Sequence, residues 1–267
     1  PFKFYKMQKN LGWTGAINFA YNKRNPDSKY VTLTHNDVVP KPDYLKKIVH
    51  FLEKHPQVGA AQGIVVKLGN ESTIDSAGMM LDEGLYAATP FSGKPVTDLT
   101  KPRTVSLVEG TMPVYNLPAV TETLCSVKDL YVTSGFIYYL EDSLVSLKLW
   151  AKGYKCMVVP VVAGVHYRMG SSNKTAKTGI LFYYLLRNRI ALLYMTNSAG
   201  KFGFITQNLR KLIVSNRTLA QRKAILTALI HGIELGMQLK RKYGKINFYA
   251  VPFTRASIKT RFYKWIH

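Results

Sequence analysis

Four side chains in this sequence could do chemistry together: Asp37, Glu141, Asp142 and His166. Asp37 follows Tyr30-Val31-Thr32-Leu33-Thr34-His35-Asn36, whose apolar residues among threonines predict a β-strand ending in polar residues. In an open α/β sheet, ligands bind at the C-terminal ends of the strands. A carboxylate there suits a hard divalent cation holding a substrate's phosphates. Glu141-Asp142 opens a predicted helix, and His166 follows the apolar stretch Val158 to Val165. If these elements neighbour one another, a metal ligand, a general base and a second metal ligand converge. Each also has a simpler reading: an Asn-Asp turn, a charge at a helix N-terminus, a satisfied core histidine.

The elements that must position these residues are readable in order. After Asp37, Pro42 suits a first helical turn, and Tyr44, Leu45, Ile48, Val49 and Leu52 recur at helical spacing until His55-Pro56. Val58 to Val66 predicts a buried strand, Met79 to Phe91 an extended segment, and Gly93 to Arg103 a polar loop. Glu141 to Ala151 predicts an amphipathic helix, with Gly153 after its end, and Cys156 to Val159 a short strand closed by Pro160. Phe2, Phe4 and Met7 suggest another strand at the start. Strands alternating with helices give an α/β architecture over residues 1–170. Beyond a polar connection at Ser171 to Thr178, helical patterns dominate residues 171–267, among them Ile180 to Met195 and Arg222 to Lys242. The Gly232/Gly236 spacing in the second of these reads as close helix packing.

Charge divides the chain in the same place. The total is +22, but residues 167–267 carry 19 Lys and Arg against one acid, Glu234, leaving only +4 to the rest. An anionic partner is implied for the second part, either a membrane surface or nucleic acid. Hydrophobic residues make up 47% of the chain, which excludes a disordered polypeptide. No apolar run approaches the ~20 residues of a membrane-spanning helix. Cys125 and Cys156 lack any zinc or disulfide spacing, so a reducing, cytoplasmic setting is the expectation, with possible attachment to the membrane's cytoplasmic face.

The flanks of the four residues resemble a known family. Asn10-Leu11-Gly12-Trp13-Thr14-Gly15-Ala16-Ile17-Asn18 is similar to the "N-x-G-(F/W)-x-G-A-x-N" segment of family 2 glycosyltransferases, the inverting enzymes of GT-A fold. His35-Asn36-Asp37-Val38-Val39-Pro40-Lys41-Pro42-Asp43-Tyr44-Leu45 resembles their "N-N-D-x-x-P-x-P-D-Y-L" stretch, a variant of the DxD motif. His55-Pro56-Gln57-Val58-Gly59-Ala60-Ala61 and Ile74-Asp75-Ser76-Ala77-Gly78 match signatures downstream. Tyr138-Tyr139-Leu140-Glu141-Asp142 resembles "f-Y-x-E-D", His166-Tyr167-Arg168-Met169-Gly170 resembles "H-x-x-G", and Tyr183 to Arg189 resembles "yy-x-x-R-N-r". The matches keep the family's order across roughly residues 8 to 195.

The resemblance implies a GT-A-like fold, incomplete at its N-terminus, with a basic helical C-terminal region. It implies transfer of a hexosyl group from a nucleotide-diphosphate sugar to the hydroxyl of a glycan or lipid-linked glycan, with inversion. Asp37 and His166 would hold Mg²⁺ or Mn²⁺. Asp142 would be the general base, with Glu141 beside it in the catalytic pair. Asn10, Gly12, Asn18 and Asn36 would line the donor site, and Arg187 and Asn188 the acceptor or phosphate side. The sequence departs from the pattern at His35, where a carboxylate is usual, and at Leu144, where the second Asp of "E-D-x-D-L" is expected. The "G-x-F-D-E" stretch has no counterpart at Leu130 to Ser134, and Tyr115 to Val120 matches the acceptor segment poorly. The opening strand–helix–strand is also without a counterpart, so a fragment is expected. Two other readings stand beside this one. A catalytically degenerate relative would retain binding only. A nucleic-acid-binding protein would use Tyr243, Phe248, Tyr249, Phe253, Phe262, Tyr263 and Trp265 as stacking platforms, but no RNP, KH or zinc-finger pattern supports it.

Overall fold

The computed structural model describes residues 3–131, 139–167, 179–214 and 218–255. Helix α1 (Gly12–Tyr21) precedes the short strands β1 (Tyr30–Thr32) and β2 (Val38–Pro40), which flank the turn carrying Asn36 and Asp37. Then come α2 (Tyr44–Lys54), β3 (Val58–Lys67), β4 (Asn70–Ser76) and a small hairpin of β5 (Met80–Leu81) and β6 (Ala87–Ala88). Strands β7 (Arg103–Thr104) and β8 (Pro113–Asn116) lead to α3 (Leu117–Leu124). Helix α4 (Glu141–Ala151) and strand β9 (Lys155–His166) follow. The described chain then turns helical: α5 (Gly179–Met195), α6 (Gly200–Val214) and α7 (Leu219–Tyr243).

The main sheet runs β1-β8-β3-β9-β2, with β4 also paired to β3 and β7 to β9. Only β3 and β9 are parallel; they form its centre, and β3 is buried along nearly its whole length. Its residues serve two cores. Val58, Ala61 and Val65 face α2, whose Tyr44, Ile48 and Leu52 are buried at the helical spacing seen in the sequence. Ala60, Ile64 and Val66 face a larger core that includes α3, α4 and the C-terminal helices. Burial on both faces is what a central parallel pair requires. Gly63 permits it: a Cβ there would lie 2.5 Å from the Val161 carbonyl and 2.6 Å from the Tyr44 ring.

Several expectations need correction. Strand β9 does not stop at Pro160 but runs on to His166. Its pairing to β3 shifts between Gln62↔Val158 and Ile64↔Val162, a bulge that absorbs the proline's missing N–H. Residues 3–7 form no strand; Phe4 is exposed and Tyr5 meets Phe19 edge-on instead. Met79 to Phe91 is extended only in the β5–β6 pair, because Asp82 accepts the N–H groups of Gly84 and Tyr86 and turns the chain. Helix α3 was not anticipated, although Asn116 caps it and Pro118 lies in its first turn. Gly232 and Gly236 pack within the chain, against Arg187–Ile190 and Ala191–Tyr194 of α5. No helix among the described residues is long and apolar enough to cross a membrane.

Candidate active site

Antiparallel pairing of β2 with the end of β9 sets Val38 opposite His166. Asp37, one residue earlier, therefore meets the histidine: His166 Nε2 lies 3.4 Å from Asp37 Oδ2. On its other side, His166 Nδ1 is 2.8 Å from Asp75 Oδ2. Asp75 comes from β4, across β3 from β9, and its side chain is almost fully buried. A carboxylate accepting the Nδ1 proton leaves the lone pair on Nε2, facing the second carboxylate. In that tautomer two electron-rich atoms face each other, and Asp37 Oδ1 is buried without a hydrogen-bond partner. Such a gap suits a cation. Among the described residues, no group of three or more His, Cys, Asp or Glu forms a metal cage.

His35 stands next to this pair, with its imidazole edge-on to Trp13 at 4.6 Å. Burial lowers its pKa against the pull of Asp37. A Cβ on Gly110 would lie 3.9 Å from His35 Nε2 and 4.0 Å from the Tyr131 hydroxyl. The Gly110 N–H in turn donates to the Asp142 carboxylate. Gly110 thus lies between His35, which neighbours the Asp37–His166 pair, and Asp142 of the second pair. Its segment is itself fixed from the sheet, because Gln62, fully buried on β3, accepts the Glu109 N–H at 2.8 Å and donates to Ser76.

Glu141 and Asp142 form the first turn of α4, where the helix dipole favours negative charge. Asp142 Oδ1 accepts the Ser143 N–H at 2.6 Å. Even so, burial raises the pKa of both carboxyls, Glu141 to about 8 with a further push from the charge of Asp142. Both residues keep partial surface exposure. Behind them, the Tyr115 and Tyr131 hydroxyls pair at 3.1 Å, and burial raises both phenols well above their usual range. The chain enters α4 through Tyr139 and Leu140, both left-handed at φ 66° and 68°. For non-glycine residues this costs of order 1–3 kcal/mol each, and such strain clusters at functional sites.

That strained entry is held by Asn188. Its buried side chain donates to the Tyr139 carbonyl at 2.9 Å and accepts from Arg187, whose guanidinium lies 4.8 Å from the Tyr184 ring. Asn188, with Arg187 bonded to it, is thus tied to the backbone two residues before Glu141. Asn18 is likewise tied into the fold. It donates to Asp129 and the Tyr131 carbonyl and accepts the Leu130 and Tyr131 N–H groups. Every hydrogen-bonding position of its amide is used, leaving none for a donor molecule. Asn10 accepts the Gly12 N–H at the start of α1, and Asn36 is exposed in the turn before Asp37.

Asp75 was not singled out from sequence as a working residue, although it lies in a recognised signature. Leu144, where a second acid was expected, is fully buried in the core. Phe248 is likewise buried, packed on Phe253 at 5.1 Å, which removes it as a stacking platform. Phe262, Tyr263 and Trp265 lie outside the described residues, as do Tyr138, the Arg168-Met169-Gly170 part of the histidine motif, Pro1 and Phe2, Val132 to Ser134, and the 171–178 connection.

Residues 1–120 match the sequence model of glycosyl transferase family 2. No curated protein matches the chain. Among solved structures, GalNAc-T7 with UDP, GalNAc and Mn²⁺ shares its fold at a TM-score of 0.56 and 13% identity, over 90% of this chain and 46% of that one. The mannosyltransferase PcManGT from Pyrobaculum calidifontis, solved with GDP-Man and Mn²⁺, aligns at a TM-score of only 0.39 and 17% identity, over 86% of this chain and 54% of that one. The chain thus spans about half the length of these solved structures. The match over residues 1–120 shows that this part of the chain is similar to glycosyl transferase family 2, and the likeness to the first of these structures shows a shared GT-A fold.

Proposed function

We propose that this domain transfers a hexosyl group from a nucleotide-diphosphate sugar to an acceptor hydroxyl with inversion. The observation that carries the reading is the juxtaposition, through His35 and Gly110, of an Asp37–His166 pair open to a cation and a desolvated carboxylate pair. Fold likeness alone would not carry it, since one fold hosts many chemistries. The donor set, one hard oxygen ligand and one imidazole, fits Mn²⁺ or Mg²⁺ with remaining positions for phosphate oxygens and water. A cation held there would neutralise charge on the departing nucleotide diphosphate.

The protein's own groups account for the rest. Asp75 fixes the His166 ring, so that Nε2 presents its lone pair beside Asp37. The Gly110 and Ser143 N–H groups orient the Asp142 carboxylate, which takes the proton from the acceptor hydroxyl as that oxygen attacks. Glu141, its pKa pushed up to about 8, carries the proton that keeps two adjacent buried carboxylates from both ionising. The acceptor is a glycan or lipid-linked glycan hydroxyl.

The test is release of nucleotide diphosphate from a panel of nucleotide sugars with Mn²⁺, with donor binding measured in parallel. Asp37→Ala is expected to weaken metal-dependent donor binding. Asp142→Asn is expected to bind donor almost normally and lose turnover by about 10²–10⁴-fold. Full turnover in Asp142→Asn removes Asp142 as the base. Donor binding that ignores both Asp37→Ala and metal chelation overturns the assignment of the metal pair.

A further inference from the structure

Helices α6 and α7 each expose apolar residues on the face away from the core. On α6, Phe202, Leu209 and Ile213 recur at intervals of seven and four, a spacing that places them on one face. Phe202 and Ile213 are 71% and 77% exposed, while Phe204 and Asn208 are buried on the other side. On α7, Leu219, Leu226, Ile230 and Met237 form a second exposed stripe at intervals of seven, four and seven. The opposite face, with Ile225, Leu229 and Leu239, is already buried. Gly232 and Gly236 let that face close tightly on α5. The outer stripes therefore stand exposed among the described residues.

Cations accompany them. Lys223 and Arg241 lie four residues beyond Leu219 and Met237, so they share the α7 stripe's side, as does Glu234, four residues beyond Ile230, and all three are exposed. Glu234 is the single acid in residues 167–267, against 19 Lys and Arg. A second copy of this chain would set one +18 segment, residues 167–267, against another. The surface that complements both apolar side chains and unbalanced positive charge is an anionic bilayer. There, Leu, Ile and Phe enter the acyl boundary, and long cationic side chains reach the headgroups.

We propose that the outer faces of α6 and α7 form a peripheral docking surface for anionic phospholipid bilayers. The argument rests on these two helices alone and is independent of sugar transfer. The test is co-sedimentation of the full chain with phosphatidylcholine vesicles, with and without phosphatidylglycerol, across a salt series. Attachment is expected only to the anionic vesicles, with a portion that persists in high salt because apolar groups have inserted. The variant Phe202→Ser/Ile213→Ser/Leu226→Ser/Ile230→Ser changes only exposed positions and is expected to keep its circular dichroism. Its salt-resistant portion is expected to fall at least about tenfold, with low-salt attachment largely retained. Equal attachment to neutral vesicles, complete release by salt, or a variant as salt-resistant as the parent each overturns the proposal. So does a concentration-dependent dimer that the same variant abolishes, or displacement from vesicles by single-stranded RNA.

Discussion

Held between two carboxylates, His166 shows how single residues set the site's chemistry. Asp75 contacts the imidazole from the buried side and Asp37 faces it from the open side. Asp75→Asn keeps the shape but weakens the hold on the ring, and is expected to lower Mn²⁺ affinity about 10–100-fold, read by titration of the metal alone. Unaltered affinity would show that Asp75 only supports the strand. The Glu141–Asp142 pair gives a second residue-level prediction, in pH. Glu141 titrates near 4.5 when unfolded and near about 8 when folded, raised first by burial and then by Asp142. The folded state therefore holds the extra proton between those values. Its contribution to stability is intact below about 4.5, erodes as pH rises, and is gone above about 8. Turnover moves the opposite way, rising with pH as Asp142, whose own pKa burial raises, loses its proton and becomes the base. Urea midpoints across this range should fall with pH in the parent and flatten in Glu141→Gln. A parent midpoint that does not move between those pH values would show that Glu141 is not held protonated.

At the scale of elements, the site depends on segments tied down by polar side chains rather than by regular structure. Asn18 of α1 fixes the backbone at Leu130 and Tyr131, and so places the Tyr131 hydroxyl beside Tyr115 near the carboxylates. Asn18→Ala leaves those N–H groups buried and unpaired. It is expected to cost roughly 2–4 kcal/mol by urea denaturation, while Asn10→Ala, at an exposed turn, should cost well under half as much. Similar midpoints for the two variants would sink this account. These ties explain what was legible in the sequence. Helix α2 and the strands β1 and β3 were readable because their apolar spacing is local, whereas α4 was placed by sequence but is not amphipathic: Ser143 to Leu149 are all buried, because it packs inside the larger core. The run of β9 past Pro160 was not, since a bulge against β3 is a property of the pair. Asn18 belongs to the matched motif, yet its saturation by residues over a hundred positions away has no sequence signal. Asp37 and His166 could be paired only through the register of β2 on β9, which the family resemblance anticipated and local periodicity could not.

For the whole molecule, the open question is whether residues 1–170 and 171–267 behave as two bodies. The charge contrast suggests a division, and the boundary itself lies outside the described residues. Packing among the described residues runs the other way. Leu186, Ile190, Leu193, Phe204, Leu229 and Phe248 share one buried cluster with Ile64, Leu107, Leu144 and Val158. Polar ties cross the same seam: Asn188 to the Tyr139 carbonyl, Lys148 to the Tyr243 carbonyl, Ser106 to the Pro252 carbonyl and Ser198 to the Glu83 carbonyl. Burial lowers the pKa of Lys148, which is the expected mark of an ammonium taken into a packed seam. A shared core makes unfolding of either part expose the other's apolar face, so the two parts should unfold together. Urea denaturation of a Trp265→Phe variant followed by tryptophan fluorescence, which then reports Trp13 and Trp150 on the sheet side, should coincide with helical ellipticity dominated by α5 to α7. Lys148→Met should shift both curves together, because it alters a contact between α4 and the end of α7. Two separated transitions, with the variant moving only one, would mean that the basic helices form an independent module and that Asn188 does not hold the catalytic loop.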